Sequence, residues 1–185
     1  MLRNQTFILR CQLHDGRPAR AQELSLRIWL AAAVCALALV AGSPAARADG
    51  HNIFISNCAV CHQPDGKGAP SVYPPVADTV GKYVALKDGR AYIIDVVSFG
   101  MGGKIDSGGD SFEGDMPPWP QLSDQEVADV LTYVLTSLNA KVLPADFKPI
   151  SPDEVKTERA KQLTAAAVHT ERDALMKQLG NNPAK

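Results

Sequence analysis

The sequence predicts an all-α fold with long loops, and three observations predict it. Apolar residues recur at helical spacing, stretches rich in Gly and Pro separate those runs, and no strand-like alternation is long enough to build a sheet. With 185 residues, 45% of them hydrophobic and 21% charged, the chain has material for one modest domain plus extensions.

Composition sets the amino-terminal part aside. Leu24-Ser25-Leu26-Arg27 leads into an apolar run from Ile28 to Ala41 and then into Gly42-Ser43-Pro44-Ala45-Ala46-Arg47-Ala48. A basic flank, a short apolar core and an Ala46-x-Ala48 end mark a secretory signal peptide, with cleavage expected after Ala48. The run is shorter than the roughly 20 residues that span a bilayer, so membrane contact is expected only if the segment is retained. Cys35 follows Val34, where a lipoprotein signal wants a small residue, so lipid anchoring is not expected. Met1 to Glu23 are polar and carry Arg3, Arg10, Arg17 and Arg20. Either a start codon assigned too early or a long basic leader accounts for them. The expected organisation is 1–48 extension plus signal peptide, 49–140 main domain and 141–185 helical carboxy-terminal extension.

The formal charge of −1 hides an asymmetry. Residues 1–48 hold 6 of the 19 Lys and Arg but 2 of the 20 Asp and Glu, which leaves 13 basic against 18 acidic residues, a net of −5. Such a chain offers no basic patch for nucleic acid, and its acidity suits partners with a positive docking face. Cys11 and Cys35 leave with the signal region, so only Cys58 and Cys61 remain and no disulfide framework is possible.

Asp49 to Asn57 can form two helical turns with Asp49 as N-cap. Gln63 to Gly81, with Gly66, Gly68, Pro70, Pro74 and Pro75, reads as a loop wrapped around something. Asp88 is expected to cap a helix from Gly89 to Ser98 with Ala91, Ile93, Ile94 and Val97 as its apolar face. A second loop is expected from Gly100 through Gly108, Gly109 and Gly114 to Asp115-Met116-Pro117-Pro118-Trp119-Pro120, where prolines exclude a helix or central strand. Ser123-x-x-Glu126 is a capping box, and Val127, Val130, Leu131, Val134, Leu135 and Leu138 give the clearest helix, about Asp124 to Leu138. Ser151-Pro152-Asp153-Glu154 starts a further helix. One or two amphipathic helices are expected there, broken near Thr164, with a frayed tail from Gly180 to Lys185.

Cys58-Ala59-Val60-Cys61-His62 carries the chemistry. Two thiols at this spacing can add to the two vinyl groups of one haem, with the adjacent His free to ligate iron. A structural zinc site would need four ligands, and the mature region has no other Cys and only His51, His62 and His169. A thioredoxin-like pair would need a strand before the first Cys. One covalent haem c is therefore expected, with iron held by His62. On the other haem face a thioether suits an electron carrier, and Met101, Met116 and Met176 compete. Met116 is favoured because Pro117 and Pro118 stiffen its backbone and Trp119 can lie against the macrocycle; Met101 and Met176 read as packing residues. His51 reads as an exposed residue on the proximal side.

With this motif early, Met116 in a Met-Pro-x-Trp context and a helix after it, the chain resembles class I monohaem cytochromes c over about Asp49 to Leu138. Gly50, Phe54 and Tyr133 look like that family's helix-crossing residues. The resemblance implies the cytochrome c fold, and a proline carbonyl that accepts the free imidazole N–H of the axial His. Pro74 is the candidate, with Pro75 or Pro70 as alternatives. The stretch Gly102 to Pro117 is similar to small bacterial cytochromes associated with periplasmic oxidoreductases, while the extension from Asn139 to Lys185 departs from a minimal carrier.

The expected function is a periplasmic electron carrier with His62 and Met116 as axial ligands, exchanging electrons with a dehydrogenase donor and a terminal oxidase or reductase acceptor. The alternatives are a cytochrome subunit of a periplasmic dehydrogenase or reductase, or a haem peroxidase or gas sensor. Asp106, Asp110, Glu113 and Asp115 can form a docking rim for a basic partner or merely a solvated loop.

Overall fold

The computed structural model describes residues 49–181, so the expected signal peptide and all of the frayed tail beyond Asn181 lie outside the described residues. Asp49 caps α1 (Gly50–Ile53), its carboxylate accepting from the His51 amide at 3.0 Å. The helical path continues through a π-helical segment, Phe54–Cys58, into α2 (Ala59–His62), where Gln63 ends it with φ 62°. The loop that follows folds back on itself: the Gly68 amide bonds His62 O and the Ala69 amide bonds Tyr73 O. A 3-10 segment, Val80–Ala85, then leads to α3 (Gly89–Phe99).

Asp88 stands at the N-cap of α3, yet its side chain makes no capping bond. The residue is in the left-handed conformation, φ 64°, which serves the reversal of the chain and turns the carboxylate away from the first helical amides.

The expected loop after Gly100 is a β-hairpin instead. β1 (Met101–Ser107) pairs antiparallel with β2 (Asp110–Met116) through Gly108 and Gly109, both at positive φ. Two glycines between paired runs are what a tight hairpin turn requires, and that signal outweighs the scarcity of apolar residues in the strands. The register separates two faces. Met101 and Met116, Gly103 and Gly114, and Ile105 and Phe112 pair on one, while Gly102 and Asp115, Lys104 and Glu113, and Asp106 and Ser111 pair on the other.

α4 (Asp124–Leu138) starts with both halves of the Ser123–Glu126 capping box formed. It packs on α1 at Gly50, where an added Cβ would lie 2.2 Å from Asp129 O and 2.9 Å from Tyr133 Cβ. Phe54 seals the crossing, 1% exposed, its ring 5.7 Å from that of Tyr133. The sequence-level pairing of Gly50, Phe54 and Tyr133 is thus a physical contact.

α5 (Pro152–Arg159), again with a complete capping box, and α6 (Ala165–Asn181) follow, separated by the break near Thr164. Gly180 is helical, because α6 runs one residue past it. Val155, Val168 and Leu175 from these helices are buried in the same apolar cluster as Phe54, Ile94 and Leu135. Arg90 Nε and Nη2 reach both oxygens of Glu154, and Arg159 pairs with Asp124 at 2.8 Å while donating to Leu122 O. Among the described residues no helix is long and apolar enough to cross a membrane.

α3 meets α5 and α6 around Asp95, which is fully buried and bonded to Lys161 Nζ at 3.3 Å. Asp95 Oδ1 and Glu171 Oε2 find no donor, although the two carboxyl groups are within hydrogen-bonding reach of each other. Burial raises Asp95 above the ordinary carboxylate range against the pull of Lys161, with Glu171 and Glu158 raising it further; burial raises Glu171 as well. A proton on either carboxyl would let it donate to the other.

Two outcomes test these contacts. Gly50→Ala should lose about 1–3 kcal/mol in denaturant unfolding despite the better helix propensity of Ala; a neutral or stabilising result would show that the crossing is looser than described. A raised carboxyl holds its proton in the folded chain after the unfolded chain has released it. Thermal stability should therefore fall as pH rises from the ordinary aspartate range through the raised value, and Asp95→Asn should flatten that slope.

Candidate functional site

A cleft lies between α1–α2, the Pro74 loop, α3, the hairpin and α4. Two adjoining cavities make it up, and His62, Pro74, Met101, Ile105 and Met116 line both. Phe54, Tyr92, Ile93, Val97, Val130 and Leu131 make the inner walls apolar, as the walls of sites for organic ligands usually are.

The helical turn of α2 puts Cys58 in the inner wall and Cys61 in the outer one, both as free thiols. Burial, with Cys61 close by, pushes the Cys58 thiol up to about 11, so it is neutral at physiological pH. His62 ends the same turn. Its Nδ1 donates to Pro74 O at 2.9 Å, which fixes the ring and leaves Nε2 with a free lone pair. Burial lowers the His62 pKa, partly opposed by that hydrogen bond, so the imidazole is held neutral.

Met116 enters at the end of β2, directly opposite Met101 in the register. Both sulfurs belong to side chains of the cleft wall, but Met101 Sδ already accepts from Tyr92 OH at 3.4 Å. Met176 lies elsewhere, accepting from Tyr83 OH at 3.8 Å, and His51 is exposed with its ring edge-on to Tyr133. Trp119 packs on the apolar cluster that includes Phe54, Ile93 and Val97, and its amide donates to Val97 O at 3.0 Å.

The site includes residues that the sequence reading did not single out. Tyr92 and Arg172 reach the inner cavity from α3 and α6. Arg172 falls in the apolar stripe that Val168 and Leu175 give α6, and a charged residue in such a stripe was the available signal.

A histidine-terminated pair of thiols on one helical turn, opening into a largely apolar cleft, defines a haem-attaching electron-transfer protein, and the chain belongs to the cytochrome c family. The family profile described as Cytochrome c matches residues 47–137. Cytochrome c-552 from Thermus thermophilus is 39% identical over 140 residues, covering 76% of this chain and 94% of the relative. A second cytochrome c-552 sequence from Thermus thermophilus is 40% identical over 129 residues, 70% of this chain and 98% of that protein. The cytochrome c subunit of alcohol dehydrogenase (quinone) from Gluconobacter oxydans is 35% identical over 86 residues, 46% of this chain but 17% of that subunit. The family binds haem c covalently, and Cys58 and Cys61 stand in the attaching positions. The residues present fit the group: free thiols one turn apart, a neutral imidazole beside them, a thioether in the same cleft and an apolar enclosure.

Replacing Cys58 with Ala should leave a haem held by one thioether, read as a red-shifted pyridine haemochrome band. A spectrum unchanged from that of the unaltered protein would remove Cys58 from the attachment.

Proposed function

We propose that the protein is a periplasmic carrier of single electrons in which His62 and Met116 are the axial ligands of one haem c. The observation that carries this reading is the placement of a neutral, Pro74-oriented imidazole and the Met116 thioether in the walls of the same two cavities. The haem supplies a one-electron iron couple. The chain's part is to hold both ligands with little rearrangement, and each has its restraint: the Pro74 bond for His62, and the strand pairing plus Pro117 and Pro118 for Met116. The thioether favours reduced iron, while the Pro74 bond makes the imidazole a stronger donor. Tyr92, by engaging the Met101 sulfur, leaves Met116 as the uncommitted thioether.

Export rests on the sequence of residues 24–48, and cleavage after Ala48 would begin the mature chain at the residue that caps α1. Asp106, Glu113 and Asp115 are exposed on the hairpin, and Glu113 and Asp115 border the outer cavity, which puts the docking rim at the mouth of the cleft. A partner with a basic face fits it. Service to a dehydrogenase, as donor to this cytochrome or as the enzyme it is a subunit of, is supported by the likeness to the alcohol dehydrogenase (quinone) cytochrome c subunit.

Met116→Ala should convert a six-coordinate low-spin spectrum into one with an open, high-spin iron, while haem attachment through the cysteines persists. A low-spin spectrum that keeps its thioether signature would assign the ligand to another residue, with Met101 the first to replace.

A further inference from the structure

Asp95 is fully buried in α3, next in sequence to residues that line the inner cavity of the haem cleft, Ile93, Val96 and Val97. Its own side chain meets other partners. Lys161 Nζ, from the α5–α6 connection, donates to Asp95 Oδ2 at 3.3 Å and also pairs with Glu158 of α5, while Glu171 of α6 comes within hydrogen-bonding reach. Three carboxyl groups thus share one ammonium, and Asp95 Oδ1 and Glu171 Oε2 find no donor. Full ionisation would leave two unbalanced negative charges in a place shielded from water, which costs more than keeping a proton. Burial accordingly holds Asp95 above the ordinary carboxylate range against the pull of Lys161, and Glu171 and Glu158 raise it further. Asp88, at the head of α3, faces Glu171, while Arg172 and Tyr83 face Tyr92. Val130 and Leu131 of α4 add apolar wall to the inner cavity.

A further cavity opens beside the cluster. Asp88, Glu158, Lys161, Glu171 and Gln178 line it, and Asp88 and Lys161 are exposed, so protons from water can reach it. Tyr92 stands in its wall and in the wall of the inner cavity as well. The haem cavity and the acidic one therefore have a side chain in common. We propose that this carboxyl cluster takes up a proton when the haem iron is reduced and releases it on oxidation, so that the carrier moves a proton with its electron. This rests on the haem-site reading above. Asp95 or Glu171 gains an O–H bond, using a proton from water, as the donor's electron takes the iron from Fe(III) to Fe(II); on reoxidation that bond breaks and the proton returns to water. Charge drives the step, because loss of a positive charge at the iron makes a negative cluster easier to protonate, and the protein between them screens the two less than water would. The coupling is mutual: if reduction favours protonation, protonation favours reduction by the same factor.

The test is the midpoint potential of the holoprotein across pH at fixed ionic strength, with proton uptake on reduction followed in weakly buffered solution. The potential should fall as pH rises through neutrality, and a fraction of a proton should be taken up per electron. Asp95→Asn, which keeps the shape without the titrating group, should remove most of both while leaving the low-spin spectrum intact. A potential independent of pH overturns the proposal, and so does a slope that Asp95→Asn leaves unchanged. Should that variant not accumulate, the unaltered protein carrying 13C-carboxyl aspartate and glutamate decides, since the carboxylates of the haem itself stay unlabelled. A labelled band of a protonated carboxyl in its redox infrared difference spectrum supports the proposal, and the absence of one overturns it. Failure of the unaltered protein to carry covalent haem would instead sink the haem-site reading, so the two failures are distinct.

Discussion

Between Gly50 and Asp129 two helices approach until there is no room for a side chain, and the position of the haem motif follows from that approach. α1, the π-helical segment and α2 form one continuous path, so seating Gly50 on α4 fixes where Cys58, Cys61 and His62 emerge eight to twelve residues later. Phe54 and Tyr133 lock the rotation of that path about its axis. The other walls are then arranged around a turn that is already placed: the Pro74 carbonyl meets the imidazole from the loop, and the hairpin brings Met116 from the far side of the chain.

The carboxy-terminal helices close a sheet that would otherwise have a bare edge. A two-stranded hairpin leaves unpaired backbone groups along both sides. On β1, the Lys104 and Asp106 carbonyls are taken by His169 and Arg172, two residues on successive turns of α6. Gly103 lets this happen, since a Cβ there would come within 3.2 Å of the His169 ring. The same helix buries Val168 and Leu175 and brings Glu171 to Asp95, so an edge cover, a core and a buried acid pair share one element.

What could be read from the sequence was local. The Ser123 and Ser151 capping boxes, the helix Asp124–Leu138 and the break near Thr164 depend on residues three or four apart, and each is present as expected. The thiol pair and its histidine were legible for the same reason. Hidden features depend on residues far apart. The hairpin strands carry glycines and charges where a sheet on a core would carry Val or Ile, because much of their surface is exposed and the edge of β1 is satisfied by side chains more than 60 residues away. Asp88 has the residue type of a cap but the backbone of a turn, and residue type alone does not report φ.

The order of the walls along the chain has a consequence for assembly. The two thiols stand near the start of the described residues, whereas Arg172 comes 111 positions after Cys61. As the chain emerges amino end first, the attaching turn is free while the wall contributed by α6 does not yet exist. The contact between these two walls is thus among the longest-range ones in the site, the kind whose formation costs the most loop-closure entropy.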